Sequence, residues 1–295
     1  MQDSRSKTAR REDGVGPAAE RPAPLRVTYY QRRPRQAGNY SLEFIFADVR
    51  RRLADEIEPR VRVARHESAG LLPRLAICLE AMSGQGDVNH VTGDTSFMGL
   101  LLDGRRTVQT VLDCDFLART SGLRRAILRW LWLALPLRNC AAVTAISEAT
   151  KREILRHLPG YPASKIVVIP VAISDRFRRH DKPFDRRRPR ILQLGTAPNK
   201  NVPRLIEALR GLDCHLELVG APSAELAGLL RSSGISHDYR SNLSEEEVVR
   251  AYQDADVVSL VSTSEGFGMP ILEAQAVGRP VVTSADRGII AAASY

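Results

Sequence analysis

Two glutamates eight residues apart carry the clearest chemistry in this chain. Glu265 and Glu273 lie in Ser264-Glu-Gly-Phe-Gly-Met-Pro-Ile-Leu-Glu-Ala274, directly after the apolar run DVVSLVS at 256–262. Gly266 and Gly268 permit a tight loop with exposed backbone N–H groups. Pro270 suits the first position of a helix. The orphan N–H groups and positive end of that helix make a place for an anion. Glu265 falls in the loop and Glu273 is expected in the first helical turn, so both carboxylates can reach one ligand. A carboxylate can accept two sugar or ribose hydroxyls at once, in charge-assisted hydrogen bonds. The same residues also fit an ordinary helix with a glutamate favouring its N-terminus.

These groups need elements to hold them. From residue 25 onward, short β-branched runs alternate with amphipathic helical stretches. The first set is LRVTYY (25–30), VRVARH (61–66), VNHVTG (88–93), TVQTVLD (107–113), AVTAIS (142–147) and KIVVIPV (165–171). The second is ILQLG (191–195), CHLELVG (214–220), HDYRSNL (237–243), DVVSLVS (256–262) and RPVVTS (279–284). Such alternation predicts βαβ units and parallel sheets. Two doubly wound halves would face each other across a cleft, with ligands outside the carboxyl ends of the strands. Loops after other strands would then reach the cleft, among them residues 35–41 with Gly38 and Asn39, VNHVTGD with His90 and Asp94, TVQTVLDCDF with Asp113, and GTAPNKN with Gly195, Thr196, Asn199 and Lys200. Three of them also have a plain reading: a β–α turn at 35–41, a partly buried His90 satisfied by neighbours, a loop lysine at 200. Ser244-Glu-Glu-Glu247 spells a capping box.

At 295 residues the chain has room for one large or two ordinary domains, and 43% hydrophobic with 26% charged residues is ordinary globular composition. No run approaches the roughly 18 apolar residues of a membrane span. The Arg-rich start is not a secretory signal. Cys78, Cys114, Cys140 and Cys214 have no paired spacing. That excludes a disulfide framework or zinc ribbon and fits a reducing compartment. The net charge of +9 is divided unevenly: 35 basic and 21 acidic residues in 1–190, 8 and 13 in 191–295. The expected organisation is a disordered tail (1–24), a first domain (25–172), a basic linker (173–190) and a second domain (191–295). Eight basic residues between Arg176 and Arg190 read as a solvated linker or as a positive rim over the cleft. The basic stretch 123–138, with two tryptophans, reads as a core helix or a membrane-surface helix. No helix-turn-helix, RNA-recognition or zinc motif supports a nucleic-acid partner.

EGFGMPILEAQAVGRPVVTS resembles the E-x7-E signature of glycosyltransferase family 4, retaining enzymes with a GT-B fold of two Rossmann-like domains. Residues 143–177, 191–212 and 239–268 are similar to the same family, so the resemblance spans roughly 25–284. It implies that Glu273 binds the donor ribose and that Glu265 lies by the sugar and reacting centre. Backbone N–H groups around Gly266, Phe267, Gly268 and Met269 would hold sugar and phosphate oxygens. Lys200 would neutralise the diphosphate, flanked by Gly195, Thr196 and Asn199. Gly38, Asn39, His90 and Asp94 would line the acceptor side or interface loop. The implied reaction is metal-independent transfer of a hexose from a UDP- or GDP-sugar, without a further cofactor. The acceptor would be a lipid-linked or polysaccharide intermediate, and the location cytoplasmic with peripheral contact at the inner membrane.

Three departures from the family pattern stand out. Asn199 and Thr196 occupy places where the family often has an arginine. Leu112 stands where it commonly has a histidine that contacts the donor sugar, followed here by Asp113. Residues 285–295 do not resemble the usual continuation after the last strand, so the second domain is expected to be incomplete. These features motivate an alternative expectation, a truncated or degenerate nucleotide-sugar-binding protein with little turnover.

Overall fold

The computed structural model describes residues 23–33, 41–68, 70–93, 95–118 and 120–284. Gly38, Asn39 and Asp94 therefore lie outside the described residues. The β-branched runs form two parallel sheets, as expected. The first holds β1 (Leu25–Gln31), β2 (Ile57–Val63), β3 (Val88–Thr92), β4 (Thr107–Val111), β5 (Ala142–Ala145) and β6 (Ile166–Val168), in the order β2-β1-β3-β4-β5-β6. The second holds β7 (Arg190–Leu194), β8 (His215–Val219), β9 (Ser236–Arg240), β10 (Val257–Leu260) and β11 (Val281–Thr283), in the order β11-β10-β7-β8-β9. All described strand pairs are parallel.

Helices connect the strands. In the first domain α1 (Ser41–Arg52) and α2 (Leu71–Met82) precede β2 and β3. The short α3 (Asp115–Ala118) follows β4. The basic Trp-bearing stretch is α4 (Gly122–Leu128), a π-helical segment Arg129–Ala134 and α5 (Leu135–Asn139). Its second half supplies core, with Leu133, Ala134 and Leu137 packed against Val143 and Ile154. Then come α6 (Glu148–His157) and, in the second domain, α7 (Val202–Leu209), α8 (Ala224–Ser233), α9 (Glu245–Asp254) and α10 (Met269–Val277). The capping box at Ser244 and Glu247 is formed.

The basic linker is fastened to the acidic second domain. Asp256, buried at the start of β10, accepts hydrogen bonds from the backbone of Arg190 (2.8 Å) and Asp185 (3.1 Å) and pairs with Lys182. Burial alone would raise its pKa; the Arg190 N–H, Lys182 and the Asp185 N–H outweigh that and hold it below the usual carboxylate range. Arg176 pairs with Glu245 and Glu246, and Arg190 with Glu217. Much of the positive charge is thus matched locally.

Candidate functional site

The order of the second sheet decides where a ligand can sit. Strand β7 lies between β8 and β10, so the chain winds in opposite directions from it, and the loops after β7 and β10 become neighbours. Such a switch point is where open α/β sheets bind ligands. The two loops are joined by Thr263 N–H to Asn199 O (2.8 Å), Asn199 Nδ2 to Ser264 O (3.3 Å) and Asn201 Nδ2 to Val261 O (3.1 Å). Asn199 therefore spans the loops through its amide.

Lys200 crosses the same gap. Its Nζ donates to Glu265 Oε1 at 2.6 Å, and the Ser262 hydroxyl donates to the same oxygen at 2.5 Å. Gly195 explains the path of the lysine. Its φ is +83°, and a Cβ there would lie 3.1 Å from Lys200 Cε. The bare backbone lets the lysine stem pass over it. Thr196 turns away and donates to Ala221 O (2.7 Å).

Gly268, at φ +83°, starts α10, so Glu273 falls in the second turn of the helix rather than the first. Its side chain is buried, and Oε2 accepts the hydroxyl proton of Tyr252 on α9. Burial pushes the Glu273 carboxyl up to about 7; the Tyr252 hydrogen bond and the Lys200 charge pull against that, and Glu245 adds to it. No described residue bonds to Glu273 Oε1 or Glu265 Oε2. Each glutamate thus has one oxygen held by the protein and one left uncommitted, with Lys200 acting on both.

The Gly-Phe-Gly loop also meets the first domain. A Cβ on Gly266 would stand 2.5 Å from Leu112 O, so only glycine fits this approach. Gly266 O accepts from the Ser147 hydroxyl at 3.0 Å, and Ser264 Oγ donates to Asp115 Oδ2 at 2.9 Å. Thr150 Oγ1 lies 3.0 Å from Leu112 O and 3.4 Å from Gly266 O. Phe267 is buried with Ile146 and Val171, against Leu112, Met269 and Ile45. The ends of β4 and β5 therefore face the end of β10, and the two sheets present their carboxyl edges to one cleft. The Leu112 side chain serves this apolar contact.

Asp113 follows Leu112 at the end of β4, and its Oδ1 accepts from the backbone N–H of Asp115 at 3.0 Å. One predicted residue holds another place. His90 lies in the middle of β3, not in the loop after it. Its Nε2 is 2.8 Å from Thr110 Oγ1, and its ring packs on Tyr29 and Phe46. Burial lowers its pKa to about 4, so it stays neutral. The structure instead adds Tyr252, Ser262, Ser147 and Thr150. Tyr252 and Val249 share the buried side of amphipathic α9, a pattern that signals core. Ser147 is the N-cap of α6, a local signal that hides its reach across the cleft.

Two Rossmann-like domains, joined at the carboxyl edges of their sheets, define the GT-B class of fold. Residues 10–177 match the family described as Glycosyltransferase Family 4, and residues 174–293 match Glycosyl transferases group 1. The chain belongs to glycosyltransferase family 4. It is 30% identical over 158 residues to an MMP alpha-(1->4)-mannosyltransferase of Mycolicibacterium hassiacum, covering 50% of this chain and 38% of that protein. It is 38% identical over 96 residues to a D-inositol 3-phosphate glycosyltransferase of Corynebacterium diphtheriae, covering 30% and 22%. The chain thus spans less than two-fifths of these relatives' length in the matched regions. Among solved structures, Anabaena Alr3699/HepE in complex with UDP and glucose superposes with a TM-score of 0.70 at 18% identity, covering 90% of this chain and 82% of that one.

Proposed function

We propose that this chain is a retaining, metal-independent glycosyltransferase that moves a hexose from a nucleoside-diphosphate sugar to an acceptor hydroxyl. The observation that carries this reading is the pair of half-committed glutamates around Lys200 at the switch point. Glu273 Oε1 is offered to the ribose hydroxyls and Glu265 Oε2 to the sugar. Lys200 and the N–H groups at the start of α10 meet the diphosphate, whose charge grows as the glycosidic bond breaks. No further cofactor is needed for this chemistry. The UDP and glucose in Anabaena HepE favour a UDP-sugar, with GDP-sugars as the comparison. Seated Phe267 and the linked loops favour a working site over a degenerate one.

Titration of UDP and GDP, followed by transfer from UDP- and GDP-hexoses, tests the reading. Anomeric configuration of the product by NMR tests retention, and activity surviving a chelator tests metal independence. Binding of neither nucleotide would reject the proposal. Glu273→Gln is expected to weaken nucleotide binding about ten- to a hundredfold, the worth of hydrogen bonds to a charged group. The sign of the pH dependence follows from the raised carboxyl. In wild type, affinity rises with pH until Glu273 is ionised, near 7. Folding stability of the free protein moves the other way, falling as pH rises past about 4.3, where an unfolded-state glutamate titrates, and levelling above about 7. The nucleotide's own phosphate titrates in this range, and Glu273→Gln should keep only that part. A wild-type-like profile in the variant would refute the assignment.

The acceptor side belongs to the first domain, and the proposed acceptor is lipid-linked or a polysaccharide. Helix α2 turns Leu72 (78% exposed), Leu75, Leu79 and Met82 to solvent at helical spacing, and α4 exposes Leu123 and Ile127. The Arg74 guanidinium lies 4.4 Å from the Trp132 ring and ties α2 to the π-helical segment that continues α4. Residues 121–139 hold four arginines and no acidic residue. An apolar face flanked by arginines suits an anionic membrane surface. Among the described residues no helix is long and apolar enough to cross a membrane. Wild type is expected to float with anionic vesicles, and Leu75→Glu with Leu79→Glu to lose more than about half of that binding. Equal flotation of both would reject this surface.

A further inference from the structure

A buried phenol touches the proposed donor carboxylate, and nothing above gives it a task. We propose that Tyr252 is a positioning residue for donor recognition: its hydroxyl occupies Glu273 Oε2 and leaves Oε1 for the nucleotide's ribose. This rests on the nucleoside-diphosphate reading of the site.

The geometry is over-determined for a residue that only fills space. Tyr252 is fully buried. Phe177, from the linker, meets its ring edge-on at 5.4 Å between centroids and 89° between planes. Buried Arg279, just after α10, donates from Nε to Tyr252 O at 3.2 Å and from Nη2 to Gln253 O at 2.7 Å. The last turn of α9 is thereby clamped to the element that follows Glu273. The phenol hydroxyl has one proton, so it can satisfy one carboxylate oxygen and no more. Burial, the Glu273 charge and their hydrogen bond all keep that proton on Tyr252. Once Glu273 is ionised, the phenol is therefore the donor and Glu273 the acceptor.

The same bond favours the ionised carboxylate that a ribose diol needs. The charged groups acting on Glu273 are Lys200 from the β7 loop, which favours ionisation, and Glu245 at the start of α9, which opposes it. Glu245 is itself paired with Arg176 at 3.2 Å. Lys200 is shared with Glu265, which lies across the same gap. Without the phenol, Lys200 alone would work against burial.

The test compares wild type, Tyr252→Phe, Glu273→Gln and the double variant. UDP and GDP are titrated by calorimetry between about pH 5.5 and 8.5, and the Glu273 carboxyl is followed by 13C NMR without nucleotide. Tyr252→Phe keeps the ring and removes one oxygen. It should weaken nucleotide binding about tenfold near neutral pH, the worth of one hydrogen bond to a charged group. It should also move the carboxyl midpoint, and the binding profile, upward by about half a unit or more. In the Glu273→Gln background the same change should alter affinity less than about twofold, because coupled residues are not additive. An unmoved midpoint overturns the proposal. So does an equal loss with and without Glu273, which would mark a purely structural tyrosine. If wild type binds neither nucleotide, the donor reading falls and this proposal with it. Normal wild-type binding with an unchanged Tyr252→Phe profile overturns this proposal alone.

Discussion

Lys200→Ala is expected to lower sugar transfer by about 10²–10³ in kcat, the cost of removing one aimed group that stabilises transition-state charge. The argument begins at Gly195. The lysine stem passes over this residue, and the bare backbone permits an approach of 3.1 Å from a notional Cβ to Lys200 Cε. The ammonium is thereby fixed between the β7 and β10 loops, paired with Glu265 at 2.6 Å. With donor bound, the leaving diphosphate competes for that charge. Its negative charge is greatest as the glycosidic bond breaks, so the lysine counts for more in the transition state than in the ground state. The kcat loss should therefore exceed the loss in nucleotide affinity. Folding stability should fall as well, because the pair is only 20% and 13% exposed and Glu265 would keep the Ser262 hydroxyl alone as its partner. Lys200→Arg keeps the charge but places a planar fork in a passage shaped by Gly195, so rescue should be incomplete. Steady-state kinetics beside calorimetric titration of UDP and GDP separate these effects. A kcat within about threefold of wild type would remove Lys200 from the proposed chemistry.

How much of this could be read from the residues depends on the range of each interaction. The strands of both sheets were legible because β-branched runs bounded by loops are local signals. The loop with Glu265 and Glu273 was legible because glycine, proline and carboxylate spacing lies within eleven residues. The switch point then followed from ordinary doubly wound topology. Tyr252 was not legible. Its spacing from Val249 marks a buried helix face, and nothing local says that its hydroxyl meets a carboxylate 21 residues later. Ser147 and Thr150 look like the start of a helix, which they are; their contact with Gly266 is 119 and 116 residues distant. Read from sequence alone, Glu273 falls one turn too early, because the helix start depends on Gly268 adopting a left-handed conformation. His90 followed the rule that strand ends carry function, but it lies two residues short of the end of β3. There Thr110 and two aromatic rings satisfy it. Leu112 marks a missing polar group by sequence, whereas in three dimensions its side chain joins the apolar seat of Phe267.

That seat makes Gly266 the most sensitive backbone position between the domains. Gly266→Ala would put a methyl group 2.5 Å from Leu112 O and 3.4 Å from Ile146 Cδ1. The first neighbour is a backbone carbonyl at the end of β4, within 3.0 Å of the Thr150 hydroxyl. It cannot swing aside as a flexible side chain would. The loop must retreat, and its retreat lengthens the Ser147 bond to Gly266 O and lifts Phe267 from its neighbours. Glu265 immediately precedes the altered residue, so it moves relative to Lys200. A displacement near 1 Å at a reacting centre costs about 10² in rate, and over-packing a close contact costs about 1–3 kcal/mol in stability. Gly266→Ala is therefore expected to lower kcat/KM about a hundredfold and to reduce the melting temperature by several degrees. Gly228→Ala is the matched control. Gly228 lies within α8 with only the Arg231 guanidinium at 4.0 Å, so alanine there should be neutral or stabilising by up to about 1 kcal/mol. Because the clash is with the first domain, Gly266→Ala should impair transfer more than it impairs nucleotide binding, which the second domain supplies. Equal activity and melting temperature in Gly266→Ala and wild type would show that the loop reaches its working position without the contact to Leu112.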